Sequence, residues 1–378
     1  MNSKLVATSL LALVLALAGA CVAEEDPIDQ ELLVEYRAAV PTLSDLEAPQ
    51  PMPTTMTAMG DPALYPNVSW PIVQGINGSV SNLITVLEMI VATPPTLYNS
   101  ETAEFVWGPW PNDDGVGYVA AYIKDTGEAG DFRYTYALLR GASNDLATLT
   151  PVIWGGATPD PANKDNGVGV TLWDFEANRA FEEANDPNFD PTAGDRGRFA
   201  ALFGAGPDED DPEARLTFVV AVFRDFVPAD NAGEAPIDLD YLYGRYESQM
   251  HSLDFIDFET QVDVDEPADG IREDLGIRMA FYDEGTGRAE ADAANGSLAV
   301  NQVATGIECW DTSINRTYLQ FDISENGSMM ETYTEGSAEN CGEFNATLSD
   351  LEIPSLQDID PELLAALDDV ATNGVPTE

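Results

Sequence analysis

Chemistry in this sequence has few places to sit: one histidine, three cysteines and 67 carboxylates. His251 lies in "ESQMHSLDF", and no G-x-S-x-G, H-E-x-x-H, Walker loop or G-x-G-x-x-G accompanies it. A Ser/His/Asp arrangement would need partners that proximity in sequence does not supply, so His251 reads as an ordinary surface or core residue. The acids form runs at Asp113-Asp114, at Asp208-Glu209-Asp210-Asp211, and at Asp263, Asp265, Glu266 and Asp269. Oxygen-rich clusters suit calcium in principle. The last run fails the EF-hand spacing because Pro267 stands at its fifth position. With this many acids, solvated turns are the simpler reading, and no cofactor is expected beyond that slight opening for calcium. Two carboxylates about 5 to 9.5 Å apart across a cleft would suffice for glycoside hydrolysis, a requirement that sequence can neither meet nor refuse.

The elements that must position such groups start from composition. The chain has 378 residues, 44% of them hydrophobic, enough for one large domain or two small ones. Its formal charge is −51, from 16 basic and 67 acidic residues. Nucleic acid is excluded as a partner, since no basic stripe exists to release its counterions. So acidic a surface repels itself at low ionic strength and stays hydrated in salt.

Residues 1–20 carry Lys4, an apolar stretch from Leu5 to Leu17, and Ala18-Gly19-Ala20. That is the layout of a signal peptide, too short and too acidic on its downstream side for a membrane span. Leu17-Ala18-Gly19-Ala20-Cys21 resembles the lipobox of bacterial lipoproteins, with leucine one place earlier than the usual pattern. The resemblance implies that Cys21 is lipidated after cleavage before it. It also implies an anchor in the cell envelope, and Val22 in place of aspartate implies the outer membrane. The same three small residues also fit an ordinary A-x-A cleavage site, which would release a soluble protein. Cleavage removes one base and no acid, making the chain one unit more negative. With Cys21 lipidated, Cys309 and Cys341 remain as a pair, expected to form a disulfide in an exported protein. It would close a loop worth on the order of 3 kcal/mol.

Residues 21–66 are rich in acid and proline and read as a tether, with a short amphipathic helix at "DQELLVEYRAAV". In "VSWPIVQGINGSVSNLITVLEMIVA", Ile76, Val80, Leu83, Ile84, Leu87, Ile90 and Val91 recur at three-to-four spacing, predicting a buried helix that Pro94-Pro95 ends. From Glu104 onward, eleven apolar and aromatic runs are punctuated by Gly, Asp, Asn and Pro clusters. They predict antiparallel strands in a meander, with Phe132, Tyr134, Tyr136 and Leu138 sharing one half-buried face. "FEANRAFEEAN" is the expected helical exception. The predicted class is α+β: a mainly antiparallel meander, as a half-barrel or sandwich, packed on the N-terminal helix over residues 67–349. Residues 350–378 are an acidic tail with a capped helix at "DPELLAALDDV". Trp310 beside Cys309 is expected to pack on the disulfide.

A helix with a curved meander is similar in outline to the lipoprotein-carrier proteins of the bacterial envelope, whose half-barrels hold acyl chains. This likeness of element order implies an apolar ligand. The functional expectation is a non-enzymatic envelope lipoprotein, membrane-bound through its N-terminal lipid, that binds an apolar ligand or a partner protein. The alternative is a surface hydrolase of polysaccharide or ester substrates using carboxylates.

Overall fold

Short apolar runs separated by turn-forming clusters leave the chain one economical solution, in which each strand folds back on its predecessor. The computed structural model describes residues 29–40, 48, 61–112, 115–127, 131–163, 166–208, 211, 213–227, 235–249, 251–263 and 270–374. It shows one antiparallel sheet of fifteen strands in strict sequence order. The strands are β1 (Leu97–Asn99), β2 (Glu104–Pro111), β3 (Tyr118–Asp125), β4 (Tyr134–Gly141), β5 (Thr150–Pro159), β6 (Gly167–Asp174), β7 (Arg196–Pro207) and β8 (Arg215–Val227). They continue as β9 (Ile237–Glu247), β10 (Ser252–Val262), β11 (Glu273–Tyr282), β12 (Gly287–Ala294), β13 (Gln302–Trp310), β14 (Arg316–Glu325) and β15 (Ser328–Gly336). Among the described residues four α-helices accompany the sheet: α1 (Gln30–Arg37), α2 (Leu64–Ala92), α3 (Phe175–Asn185) and α4 (Pro361–Asn373).

Both faces of the sheet carry buried apolar side chains, because successive side chains point to opposite sides. Tyr136, Trp173, Phe223 and Ile256 share one buried cluster with Val73, Ile76, Val80, Ile84 and Leu87 of α2. Leu139, Leu172, Val222 and Phe255 share the other with Leu363, Leu367 and Val370 of α4. These are called here the α2 face and the α4 face. Every residue of β4 is buried, so the half-buried alternation expected there becomes full burial on both sides. Tyr134, Tyr136 and Leu138 keep to the α2 face, whereas Phe132, just before the strand, joins the α4 cluster.

The ends of the chain contribute to these clusters. Leu33 and Tyr36 of α1, within the stretch read as a tether, are buried in the α2-face cluster, and the Tyr36 hydroxyl donates to the Ala103 carbonyl at 3.0 Å. Leu348, Ile353 and Leu356 precede α4 on the other face, so the acidic C-terminal stretch carries an apolar stripe that the sheet buries. Asp29, Asp174 and Asp360 cap α1, α3 and α4 by accepting from first-turn amides. The first turn of α2 is held from afar. Both oxygens of Glu308, a fully buried residue of β13, accept from the amides of Leu64 and Tyr65 at 2.7 Å, and Arg316 donates to Glu308 at 2.9 Å. A carboxylate at a helix N-terminus satisfies orphan amides and the positive end of the helix dipole together.

Cys309 and Cys341 are joined, with Cα atoms 5.3 Å apart. Trp310 does not pack on that bond: Cys309 lies in the α4-face cluster and Trp310 in the α2-face cluster. Adjacent residues of a strand point to opposite faces, which sequence adjacency conceals. Instead Arg288 and the Phe344 carbonyl approach the Cys309 sulfur.

Candidate functional site

Strand register brings acids together that the sequence keeps far apart. Asp240, Glu259, Gly276, Asp292 and Thr305 form one row across β9 to β13, and Leu242, Asp257, Arg278, Glu290 and Ile307 form the next row on the same α4 face. Residues Thr347–Asp358 pass over these rows, leaving a cleft of about 780 Å³. Its remaining walls include Ser349, Glu352, Ser355 and Asp358, with Ile277, Ile353 and Pro354 beside them, so carboxylates and hydroxyls alternate with apolar surface.

One row holds the covering segment in place. The Leu356 amide donates to Asp257 at 2.8 Å and the Leu348 amide to Glu290 at 3.0 Å. Arg278 donates to the Ser349 hydroxyl at 2.9 Å and to the Ile353 carbonyl. Arg288 donates to Glu290 at 2.7 Å and to the Phe344 carbonyl at 3.1 Å. Burial pushes the Asp257 carboxyl up to about 6, against the opposing pull of the Leu356 amide and of Arg278.

The other row is left open. Glu259 and Asp292 stand on either side of Gly276, and neither makes a hydrogen bond or ion pair among the described residues. A side chain at Gly276 would lie 3.0 Å from the Asp292 carboxylate, so glycine leaves room for that acid to lean across. Partial desolvation raises both carboxyls, and for Glu259 the charges of Asp240 and Asp292 add to it. Both side chains are exposed, so water screens most of this effect. The arrangement can hold a cationic or hydroxyl-rich group by multiple acceptors.

Other candidates from the sequence fall elsewhere. The His251 ring packs edge-on against Tyr282 at 4.7 Å between centroids, with no hydrogen bond to the ring among the described residues. Cys21, Asp113, Asp114, Asp265, Glu266 and Asp269 lie outside the described residues. Asp208 and Asp263 accept from the amides of Asp211 and Gly270 in their own turns. Among the described residues, no group of three His, Cys, Asp or Glu converges to hold a metal ion. No described helix is long and apolar enough to cross a membrane. Val119, Leu138, Ile153, Trp173 and Phe175 line a separate apolar cavity of about 200 Å³, below the roughly 300 to 1,000 Å³ usual for ligand pockets. Sequence reasoning did not single out Glu259, Asp292 or Glu308. The residue-type signal was present, but only register selects these three from 67 acids.

Fold and site together define a protein class by geometry: a fifteen-stranded antiparallel meander with an acid-bearing cleft on one face. No protein-family model, curated protein or solved structure matches the chain.

Proposed function

We propose that this chain is a lipid-anchored protein of the bacterial cell envelope, non-enzymatic, that binds a partner protein on its acidic outer surface. Anchoring rests on Leu17-Ala18-Gly19-Ala20-Cys21, with the lipid on Cys21 and the outer membrane as its site. In this reading the sheet curls as a half-barrel about α2. What supports a partner over an apolar ligand is that α2 residues share the buried cluster of the strands that would line that concavity, so the chain itself would fill it. What remains open to a partner is the acidic exterior. The cleft around Glu259 and Asp292 suits cationic groups on such a partner.

The intact mass of protein purified from its native membrane, with and without Cys21→Ser, tests the anchor. A mass raised by acyl chains in the wild type and lost in the variant is expected, and an unlipidated wild type would overturn the anchoring. An apolar ligand seen in native mass spectra of the same preparation would restore the carrier reading.

A surface hydrolase is the second reading, favoured by one geometric point. Glu259 and Asp292 flank Gly276 on the same face of one cleft, as a pair of carboxylates acting on one substrate must. Turnover of a 4-nitrophenyl glycoside by that preparation would transfer the assignment to it.

A further inference from the structure

The last strand of the sheet is built unlike the others. β15 pairs with β14 alone among the described residues, and no described backbone hydrogen bond reaches its outer edge. Eight of its nine residues are exposed. Met329, Met330 and Tyr333 are 58%, 61% and 53% exposed, and Phe321, opposite Tyr333 on β14, is 38% exposed. Proteins normally blunt a long open edge with lysine, proline or a covering segment. Here the only charges on the strand are Glu331 and Glu335, and the Glu331 carboxylate makes no hydrogen bond or ion pair among the described residues.

Charge selects the occupant. From Thr317 to Glu378 the sequence contains no lysine, arginine or histidine, and while Arg316 pairs with Glu335 at 3.1 Å, Glu325 and Glu331 are left as acids on the β14–β15 hairpin. A second copy would bring the same acids into register, and like charges opposite one another on paired strands repel. A cationic strand would meet acceptors instead. Resting on the partner-binding reading above, we propose that β15 receives an extended, lysine- or arginine-bearing segment of another protein as a sixteenth strand. The edge supplies backbone donors and acceptors. Met329, Met330 and Tyr333 supply apolar contacts, and Glu331 pairs with a base.

The test titrates the folded full chain with a fluorescent peptide of about nine residues alternating lysine and valine. Two control peptides are a glutamate–valine analogue and a lysine–valine peptide N-methylated on alternate amides. At roughly 0.15 M salt, where loose surface attraction is screened, the first peptide is expected to bind at least tenfold more tightly than either control. It should also slow amide exchange within Met329–Glu335. The double variant Met330→Lys, Tyr333→Lys, both exposed positions, should weaken binding at least tenfold, whereas Glu259→Gln with Asp292→Asn should leave it unchanged. Equal binding of the N-methylated peptide, or no binding of any peptide, overturns strand addition. Protection in the cleft, lost with Glu259→Gln and Asp292→Asn, overturns the edge assignment but keeps a partner-binding function.

Discussion

Asp254 and Asp257 sit three residues apart on β10 and point to opposite faces, yet burial pushes both carboxyls up to about 6. For Asp254, desolvation outweighs the Arg245 guanidinium at 3.2 Å and the Tyr243 hydroxyl at 3.1 Å. A carboxyl whose folded value lies above its unfolded value of about 4 binds more protons when folded, so its contribution is fully present below pH 4 and is lost as pH rises through 6. Each acid should therefore cost on the order of 2 kcal/mol at pH 7 relative to pH 4. The urea midpoint is expected to rise from pH 7 to pH 5, and Asp254→Asn with Asp257→Asn should flatten much of that rise. A midpoint that falls over the interval in the wild type would contradict the assignment. None of this was legible in sequence, where Asp254 and Asp257 look like any other members of an acidic chain. The cysteine pair was legible only on the expectation that Cys21 carries lipid, since three cysteines otherwise allow three pairings.

Elements were legible where their chemistry is local. The α3 helix, Phe175–Asn185, falls on the stretch "FEANRAFEEAN" because Asp174 caps it. Most strands fall on runs read from the sequence, but β1, β9, β12 and β15 do not, although β9 carries Tyr241, Tyr243 and Tyr246, and the run "SLAVNQVA" lies mostly on the turn before β13, which begins at Gln302. β12 reads "GRAEADAA", poor in strand formers, and is a strand because β11 and β13 pair with it on both sides. β15 carries an exposed surface, so no apolar alternation marks it. The α2 helix was legible by period, but its attachment was not, since Glu308 lies more than 240 residues away from the amides it holds. Glu308→Ala leaves two amides and part of Arg316 without a buried partner, and should lower stability by about 2 to 5 kcal/mol. Chemical denaturation would measure that loss, and amide exchange should be fastest in the first turn of α2. A neutral result would mean that the β13 carboxylate does not hold the helix.

At the scale of the molecule, 67 acids face 16 bases, and much of the basic complement is committed to ion pairs such as Arg140–Glu182, Arg224–Asp368 and Arg316–Glu335. Unpaired repulsion therefore exceeds paired attraction over most of the surface. Raising sodium chloride from about 0.01 M to about 1 M shortens the screening length from about 30 Å to about 3 Å, and the thermal midpoint should increase by several degrees. A falling midpoint would show that the ion pairs dominate instead. Sequence alone determined this charge, the strand-rich class and the helical period of α2, because each depends on composition or on neighbours within a few residues. Tertiary structure decided the rest. It set Trp310 on the opposite face from Cys309, gathered Glu259 and Asp292 about Gly276, buried the C-terminal stripe and left β15 open, because cross-strand register and burial are properties of the paired sheet.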